Sequence, residues 1–65
     1  MEQGPKYLNW VNGGGWVHRL ANVDPSSIVE IGAVVHAHVR VGADSHIGSG
    51  SVLGPHIIIG SNSNI

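Results

Sequence analysis

The sequence predicts an all-β protein that folds as a short parallel β-helix, and a period of six residues is the main reason. Branched aliphatic side chains recur at every sixth position through most of the chain. They are Val23, Val29, Val35, Val41, Ile47, Leu53, Ile59 and Ile65. Glycine directly follows four of them, and a small or apolar residue stands four positions after each of the first seven. A fixed period of this kind, with turn residues between the aliphatics, is typical of a parallel β-helix.

A six-residue unit combines a strand and a corner. Alternate side chains of a strand point to the same side, so Ser45 and Ile47 are expected to face inward and His46 outward. Three units close a coil of about 18 residues, and residues 23–65 then make about two and a half coils. Stacked coils lie about 4.7 to 4.9 Å apart. Each corner should therefore contain its own column of stacked aliphatic side chains.

Residues 1–22 do not follow the repeat and are predicted to form a separate N-terminal arm or cap, preceding the β-helix of residues 23–65. The segments 6–11 and 16–20 have strand-like composition on either side of a polar and glycine-rich stretch, residues 12–15. Two structures are compatible with this pattern. One is a hairpin, and the other is an extended arm in which the glycine run is a hinge.

The aromatic residues Tyr7, Trp10 and Trp16 all lie in this N-terminal segment. One interpretation is that a tryptophan covers the open strand edge of the first coil. The other is that these side chains dock on another protein, because aromatic anchors are favoured at interfaces. We assign partner docking to these three residues. We expect Trp16, nearer the first coil, to stabilise the fold, and Trp10 to contact the partner.

Three hexads carry a resemblance to a known family. Residues 41–46 and 47–52 read aliphatic, glycine, two variable residues, small, variable, and residues 23–28 resemble an opening repeat. The pattern resembles the left-handed β-helix of the bacterial hexapeptide-repeat transferases. The resemblance covers residues 23–65 and implies left-handed winding and a tendency to form trimers. The same coil serves enzymes and purely structural modules, so fold does not decide function.

Composition excludes several classes of function. Charged residues make up 11% of the chain and the formal net charge is −1, which does not indicate a partner such as nucleic acid or an anionic membrane. The absence of cysteine excludes a disulfide framework and thiol chemistry. No run of about 18 apolar residues predicts a membrane span. We expect no cofactor.

The outward positions predict an oligomer interface. Stacked repeats usually need three or more units before their buried faces outweigh chain entropy, so this short helix is expected to associate. The three outward rows are Ile28, His46 and Asn64; Arg40 and Ile58; and Val34 and Val52. The last row is wholly apolar. We therefore predict a homotrimer that is built through Val34 and Val52.

Histidine is the residue type best suited to carry chemistry here, and His36, His38 and His56 fall at one corner. His38 and His56 lie 18 positions apart and should stack, and two imidazoles could share a transition metal. The alternative, which we favour, is that corner positions tolerate exposed polar residues. The resemblance implies a catalytic histidine that is often followed by aspartate, and no histidine here has that neighbour. We therefore assign no catalytic, cofactor or metal-binding residue.

These observations predict a structural module, a homotrimeric β-helix knob that the N-terminal arm anchors to a larger protein scaffold. A decoration or fibre-base protein of a viral particle is one example that would suit this layout, with a virion as its location, but the sequence identifies neither the scaffold nor the compartment. The alternative is the N-terminal part of a hexapeptide-repeat acyltransferase. Enzymes of that family generally have more coils, whereas two and a half coils span only about 10 Å.

Overall fold

The computed structural model describes residues 5–65, which contain nine short β-strands and no helix. The strands are β1 (Tyr7–Asn9), β2 (Trp16–His18), β3 (Asn22–Val23), β4 (Ile28–Val29), β5 (Val34–Val35), β6 (Arg40–Val41), β7 (His46–Ile47), β8 (Val52–Leu53) and β9 (Ile58–Ile59). Within the described residues there is no helix long and apolar enough to cross a membrane. The all-β prediction is confirmed.

The strands form three small sheets, ordered β1-β2-β5-β8, β3-β6-β9 and β4-β7. From β3 to β9 the chain visits the three sheets in a constant order and returns to each one 18 residues later, as in the pairing of Val23 with Val41. All pairs in this part are parallel. The antiparallel pair is β1 with β2. The predicted 18-residue register is therefore present.

The core consists of the inward aliphatic columns. Its buried members are Val17, Val23, Val29, Ala33, Val35, Val39, Val41, Ile47 and Leu53. Ile47 is fully buried, whereas Ile59 is half-buried and Ile65 is 49% exposed. Burial therefore decreases toward the last described coil.

A column of serines lies beside the aliphatic columns and links neighbouring coils. Ser27 Oγ donates to the Gly42 carbonyl (2.6 Å) and accepts from the Ser45 amide (3.0 Å). The Ser45 hydroxyl in turn donates to the Gly60 carbonyl. Because both of these serines are buried, the hydrogen bonds satisfy groups that water does not reach.

The N-terminal segment is a hairpin, one of the two structures that the sequence allowed. Strand β2 also pairs in parallel with β5, which sets Trp16 beside Val34 and Val17 beside Val35. The 18-residue register therefore extends back to residue 16, so part of the segment 1–22, which was predicted to lie outside the repeat, follows it. The physical reason is that Val17 is an inward aliphatic six residues before Val23, and it is buried with the core.

The glycine run packs closely against β4 and does not have the geometry of a hinge. The Gly15 amide donates to the Val29 carbonyl (2.8 Å), and the Val29 amide donates to the Asn12 carbonyl (3.0 Å). A Cβ atom on Gly15 would lie 2.4 Å from Val29 Cγ1, and one on Gly13 would lie 2.4 Å from the Val29 carbonyl oxygen. Only glycine allows this approach, so the hairpin loop covers the edge of β4.

The corners share a backbone feature that also repeats every six residues. The third residue after each inward aliphatic from Val29 to Ile59 has a positive φ angle. These residues are Gly32, His38, Asp44, Gly50, His56 and Asn62. Glycine tolerates this region best, and asparagine, aspartate and histidine are enriched there among other residues. His38 and His56 are therefore residue types that this backbone conformation tolerates.

Candidate functional site

The outward face of the β1-β2-β5-β8 sheet carries a continuous apolar row of three residues. Register sets Trp16 beside Val34, and Val34 beside Val52. Trp16 is 46% exposed and Val52 is 64% exposed. Tyr7 joins Trp16 and Val34 around a shallow apolar groove of about 340 Å³. These three residues, Trp16, Val34 and Val52, are termed the valine row.

The other two outward rows are mixed in character. One pairs Ile28 with His46 and His46 with Asn64, and the other pairs Asn22 with Arg40 and Arg40 with Ile58. The predicted register within the three rows is confirmed, and Asn22 and Trp16 each add one residue to a row. Sequence reasoning missed Trp16 as a member of the apolar row, although its position 18 residues before Val34 was the available signal.

The two tryptophans have the opposite arrangement to the one expected. Trp10 is half-buried, packs against the core, and donates its indole N–H to the Ser27 carbonyl (2.8 Å). Trp16 points outward in the valine row. The reason is the hairpin register, in which Trp16 lies on the outward face while Trp10 enters the loop that covers the first coil. Trp10, and not Trp16, therefore covers the first coil. Contact of either tryptophan with a partner stays a prediction.

Tyr7 connects the hairpin to a corner of the stack. Its hydroxyl lies 2.6 Å from His36 Nδ1, and its ring meets the His18 ring edge to face at a centroid distance of 4.9 Å. Tyr7 pairs with His18 across the hairpin. Tyr7, a predicted docking residue, is therefore engaged with its own chain.

Residues 18–21, 36–39 and 54–57 lie one above another and form what we term the histidine corner. Backbone hydrogen bonds join the layers, from the His38 amide to Leu20 and from the His56 amide to Ala37. The His38 and His56 rings stack with centroids 5.0 Å apart and an interplanar angle of 6°. In residues 5–65 no group of three or more potential ligand side chains could hold a metal ion.

His18, at this corner, has a lowered pKa. Partial burial of the ring lowers the pKa of His18, and the nearby charges of Arg19 and Lys6 lower it further. The Leu20 amide donates to His18 Nδ1 (3.0 Å), so this nitrogen is unprotonated and the neutral ring carries its proton on Nε2. Burial is thus the largest cause of the lowered pKa of His18, and the charges of Arg19 and Lys6 add to it.

A second histidine site, which sequence reasoning missed, lies at another corner. His46 Nε2 lies 2.6 Å from Glu30 Oε2, and Glu30 Oε1 accepts from the Ser49 amide (3.0 Å). The hydrogen bond from His46, followed by that from Ser49, lowers the pKa of Glu30. Both side chains of the pair are 42% exposed. Glu30 and His46 are 16 residues apart in the sequence. The repeat predicts contacts between residues 18 apart, so it did not predict this pair.

No family model matches the chain, and comparisons with curated proteins and with solved structures also find no match.

Proposed function

We propose that the protein is a structural module, a left-handed parallel β-helix that associates as a homotrimer through the valine row and attaches to a larger scaffold by its N-terminal segment. The resemblance of its hexads to the hexapeptide-repeat family supports the left-handed winding. A decoration or fibre-base protein of a viral particle is the kind of protein that this layout suits. In this proposal the N-terminal segment is the hairpin of β1 and β2, whose strand β2 also pairs in register with β5.

The observation that carries the association is the valine row. In this row of three adjacent apolar side chains Trp16 is 46% exposed and Val52 is 64% exposed, so a partner that covers the row would gain burial of apolar surface. Tryptophan at such a position is the residue type that contributes most to binding energy. The neighbouring rows contain Arg40 and His46, whose burial would need polar partners.

Attachment to a scaffold needs hairpin side chains that remain accessible. Trp10 is held by the Ser27 carbonyl and Tyr7 by His36, so neither is the best candidate. Leu8 is 51% exposed and Val11, at the hairpin loop, is 90% exposed. We therefore propose Leu8 and Val11 as the scaffold contacts, in place of the assignment of docking to Trp10.

Sedimentation equilibrium of the purified chain tests the trimer. Val52→Lys introduces a charge at an outward and largely exposed position, so the chain should stay folded while association is lost or weakened by at least about tenfold. Val34→Lys/Val52→Lys should give a folded monomer by circular dichroism. Ile58→Lys is the matched control, because Ile58 is 77% exposed on a different sheet.

Two results would contradict this assignment. One is a wild-type chain that sediments as a monomer at all concentrations up to the millimolar range. The other is a Val52→Lys protein that remains trimeric while Ile58→Lys dissociates, which would move the interface to the β3-β6-β9 sheet.

Leu8→Ser/Val11→Ser should leave the trimer intact and reduce occupancy on the scaffold.

The His46–Glu30 pair favours a second candidate function, acyl transfer by a hexapeptide-repeat enzyme. A carboxylate that orients a histidine and stabilises its charged form is a common arrangement for a general base. Acetyl-coenzyme A turnover by the chain would support this alternative if His46→Gln and Glu30→Gln both abolish it and His38→Asn does not. Turnover that is equal in all three variants would exclude His46 as the base.

A further inference from the structure

The hairpin covers the edge of the first coil, but its own strand β1 is the last strand of the β1-β2-β5-β8 sheet and forms a new edge. Two hydrogen bonds show which residues of this segment face β2. The Arg19 amide donates to the Lys6 carbonyl (2.8 Å), and the Trp10 amide donates to the Gly15 carbonyl (2.7 Å). Bonded and non-bonded pairs alternate along an antiparallel ladder, so the even-numbered residues of this segment bond to β2.

The outward backbone groups of β1 belong to Tyr7 and Asn9. Leu8 lies between them and pairs with Val17, so it is the residue of β1 that bonds to β2. The N–H and C=O groups of Tyr7 and Asn9 point to the other side. Among residues 5–65 no strand lies on that side and no hydrogen bond uses these four groups.

Leu8 continues an apolar column of the core to this edge. Register stacks Leu8 on Val17, and Val17 on Val35 of the next coil. Both valines are buried, whereas Leu8 is 51% exposed. No residue of β1 is charged, and charged side chains are one of the devices that keep exposed strand edges from pairing. The edge thus combines unpaired backbone groups with a partly covered apolar side chain.

We propose that this edge pairs with the same edge of a second copy of the chain, antiparallel and about a two-fold axis at Leu8. Tyr7 of one copy then lies opposite Asn9 of the other, and the two exchange both backbone hydrogen bonds. Leu8 lies opposite the second copy's Leu8 in a non-hydrogen-bonded pair, with Cα atoms about 4.5 Å apart. The outward residues are symmetric about Leu8, so the strand is complementary to itself, and a two-fold contact of this kind closes.

This inference rests on the proposed trimer, because one contact between three-residue strands is small and an isolated pair of short strands is marginally stable. Two trimers that meet through β1 would form all of these contacts together, which raises the affinity without a new kind of contact. The two-fold axis of an antiparallel pair is perpendicular to its sheet, and the valine row lies on the outward face of the same sheet. The two-fold and three-fold axes can therefore meet at a right angle, which gives a closed pair of trimers.

The pairing also has a consequence for attachment. Leu8 is one of the side chains that we propose as scaffold contacts, and it cannot contact a second copy and the scaffold at once. The pair of trimers is therefore the form of the free protein, and attachment to the scaffold separates it.

The experiment is sedimentation equilibrium of the full chain, in which the wild type should sediment as a pair of trimers. Asn9→Pro removes an outward amide and leaves the bonds to β2, because proline is tolerated on an edge strand whose N–H faces away from the sheet. It should give single trimers, with the dissociation constant of the pair raised at least about tenfold. Asn9→Ala is the matched control, because it also loses the side-chain bond to the Gly14 carbonyl but keeps the amide, and it should sediment as the wild type does.

A charge at the centre of the strand gives a second test. Leu8→Lys puts like charges opposite each other across the two-fold axis and should also give single trimers. Ile31→Lys is its control, since Ile31 is 74% exposed in the turn after β4, and the pair of trimers should persist.

Amide hydrogen exchange by NMR locates the contact. The Tyr7 and Asn9 amides should exchange slowly in the pair of trimers and rapidly once dilution or Leu8→Lys has separated it. The Val17 amide bonds within the chain, so it should stay protected in both forms and show that the hairpin is intact.

The possible assemblies distinguish this inference from the proposed trimer. A wild type that sediments as a single trimer overturns the self-pairing and keeps the trimer, and it is the result expected if a scaffold strand is the occupant of this edge. A pair of trimers in which the Tyr7 and Asn9 amides exchange rapidly also overturns the self-pairing. A monomer overturns both proposals, whereas a dimer that Asn9→Pro abolishes supports the self-pairing and overturns the trimer.

Discussion

The open strand edge of the first coil is covered by the chain itself, whereas the outward face of the β1-β2-β5-β8 sheet is left exposed. The hairpin covers the edge of β4 with backbone hydrogen bonds and packs Trp10 against the core. The valine row is left in contact with water, with Trp16 at 46% exposure. The chain thus satisfies its own strand edge and leaves its apolar row without a cover from its described residues. This difference separates residues that stabilise the fold from residues that we propose to be an association surface.

The largest expected effect is the loss of Trp10. Trp10→Ala removes a half-buried indole and its hydrogen bond to the Ser27 carbonyl, so the free energy of unfolding should fall by about 2 to 4 kcal/mol. Trp16→Ala should cost about 1 kcal/mol or less in the dissociated chain. Urea unfolding at low protein concentration measures both. Equal costs for the two variants would remove the distinction between the covered edge and the open row.

The next largest effect on stability concerns the close packing of the hairpin loop against β4. Gly15→Ala would put a methyl group 2.4 Å from Val29 Cγ1 and 2.5 Å from the Glu30 carbonyl oxygen, which should cost about 1 to 3 kcal/mol. Gly60→Ala is the control, since a Cβ there meets nothing within 4 Å. It should change stability by about 0.5 kcal/mol or less. Thermal unfolding of the pair would show whether the loop packs as tightly as described.

The serine column allows a buried hydrogen-bonding group to be compared with an exposed one within the stacked coils. Ser27→Ala leaves the Gly42 carbonyl and the Ser45 amide without their partner in a buried position, at a cost of about 1 to 3 kcal/mol. Ser63→Ala removes an exposed bond to Gly60 in the same coil and should cost about 0.5 kcal/mol or less. The expectation is wrong if the two alanine variants unfold at the same urea concentration.

The smallest effect concerns pH and the His46–Glu30 pair. Because the folded pKa of Glu30 is lowered from 4.5, its contribution to stability is present above that pH and is lost as the pH falls through the folded pKa. Glu30→Gln should therefore lower the melting temperature near neutral pH and lose this difference in acid. Ser49→Ala keeps the backbone donor to Glu30 and should track the wild type. A Glu30→Gln difference that persists unchanged at about pH 3 would refute the linkage.

Much of the stack could be predicted from sequence, because one period determines it. Inward burial of Val29, Val35 and Ile47 follows from strand alternation and the six-residue repeat. The predicted handedness of the winding, in contrast, rests only on the resemblance to the hexapeptide-repeat transferases. The role of the glycine run was missed, because the packing of Gly15 against Val29 depends on a contact between residues in different coils and not on a local pattern.

The candidate sites were less predictable, for an equally physical reason. Column spacing found the row of Val34 and Val52 and the stacking of His38 with His56. It could not find the His46–Glu30 pair, which is diagonal. The roles of the tryptophans depend on the hairpin register, and a one-residue change of register exchanges the two faces of a strand.

The fluorescence of each tryptophan measures the central claim most directly. Trp10→Phe leaves Trp16 as the single tryptophan, and Trp16→Phe leaves Trp10. Emission spectra recorded across the concentration range of assembly, with sedimentation in parallel, report how each indole environment changes. Association should exclude water from the valine row and so change the environment of Trp16. Trp10 is already packed against the core of its own chain, so its environment should not change.

We predict that the emission of Trp16 shifts to shorter wavelength as trimers form and that the emission of Trp10 stays constant. Adding Val52→Lys to the Trp10→Phe variant should abolish the shift. Trimers that form while Trp16 keeps the emission of a solvent-exposed indole would contradict association through the valine row.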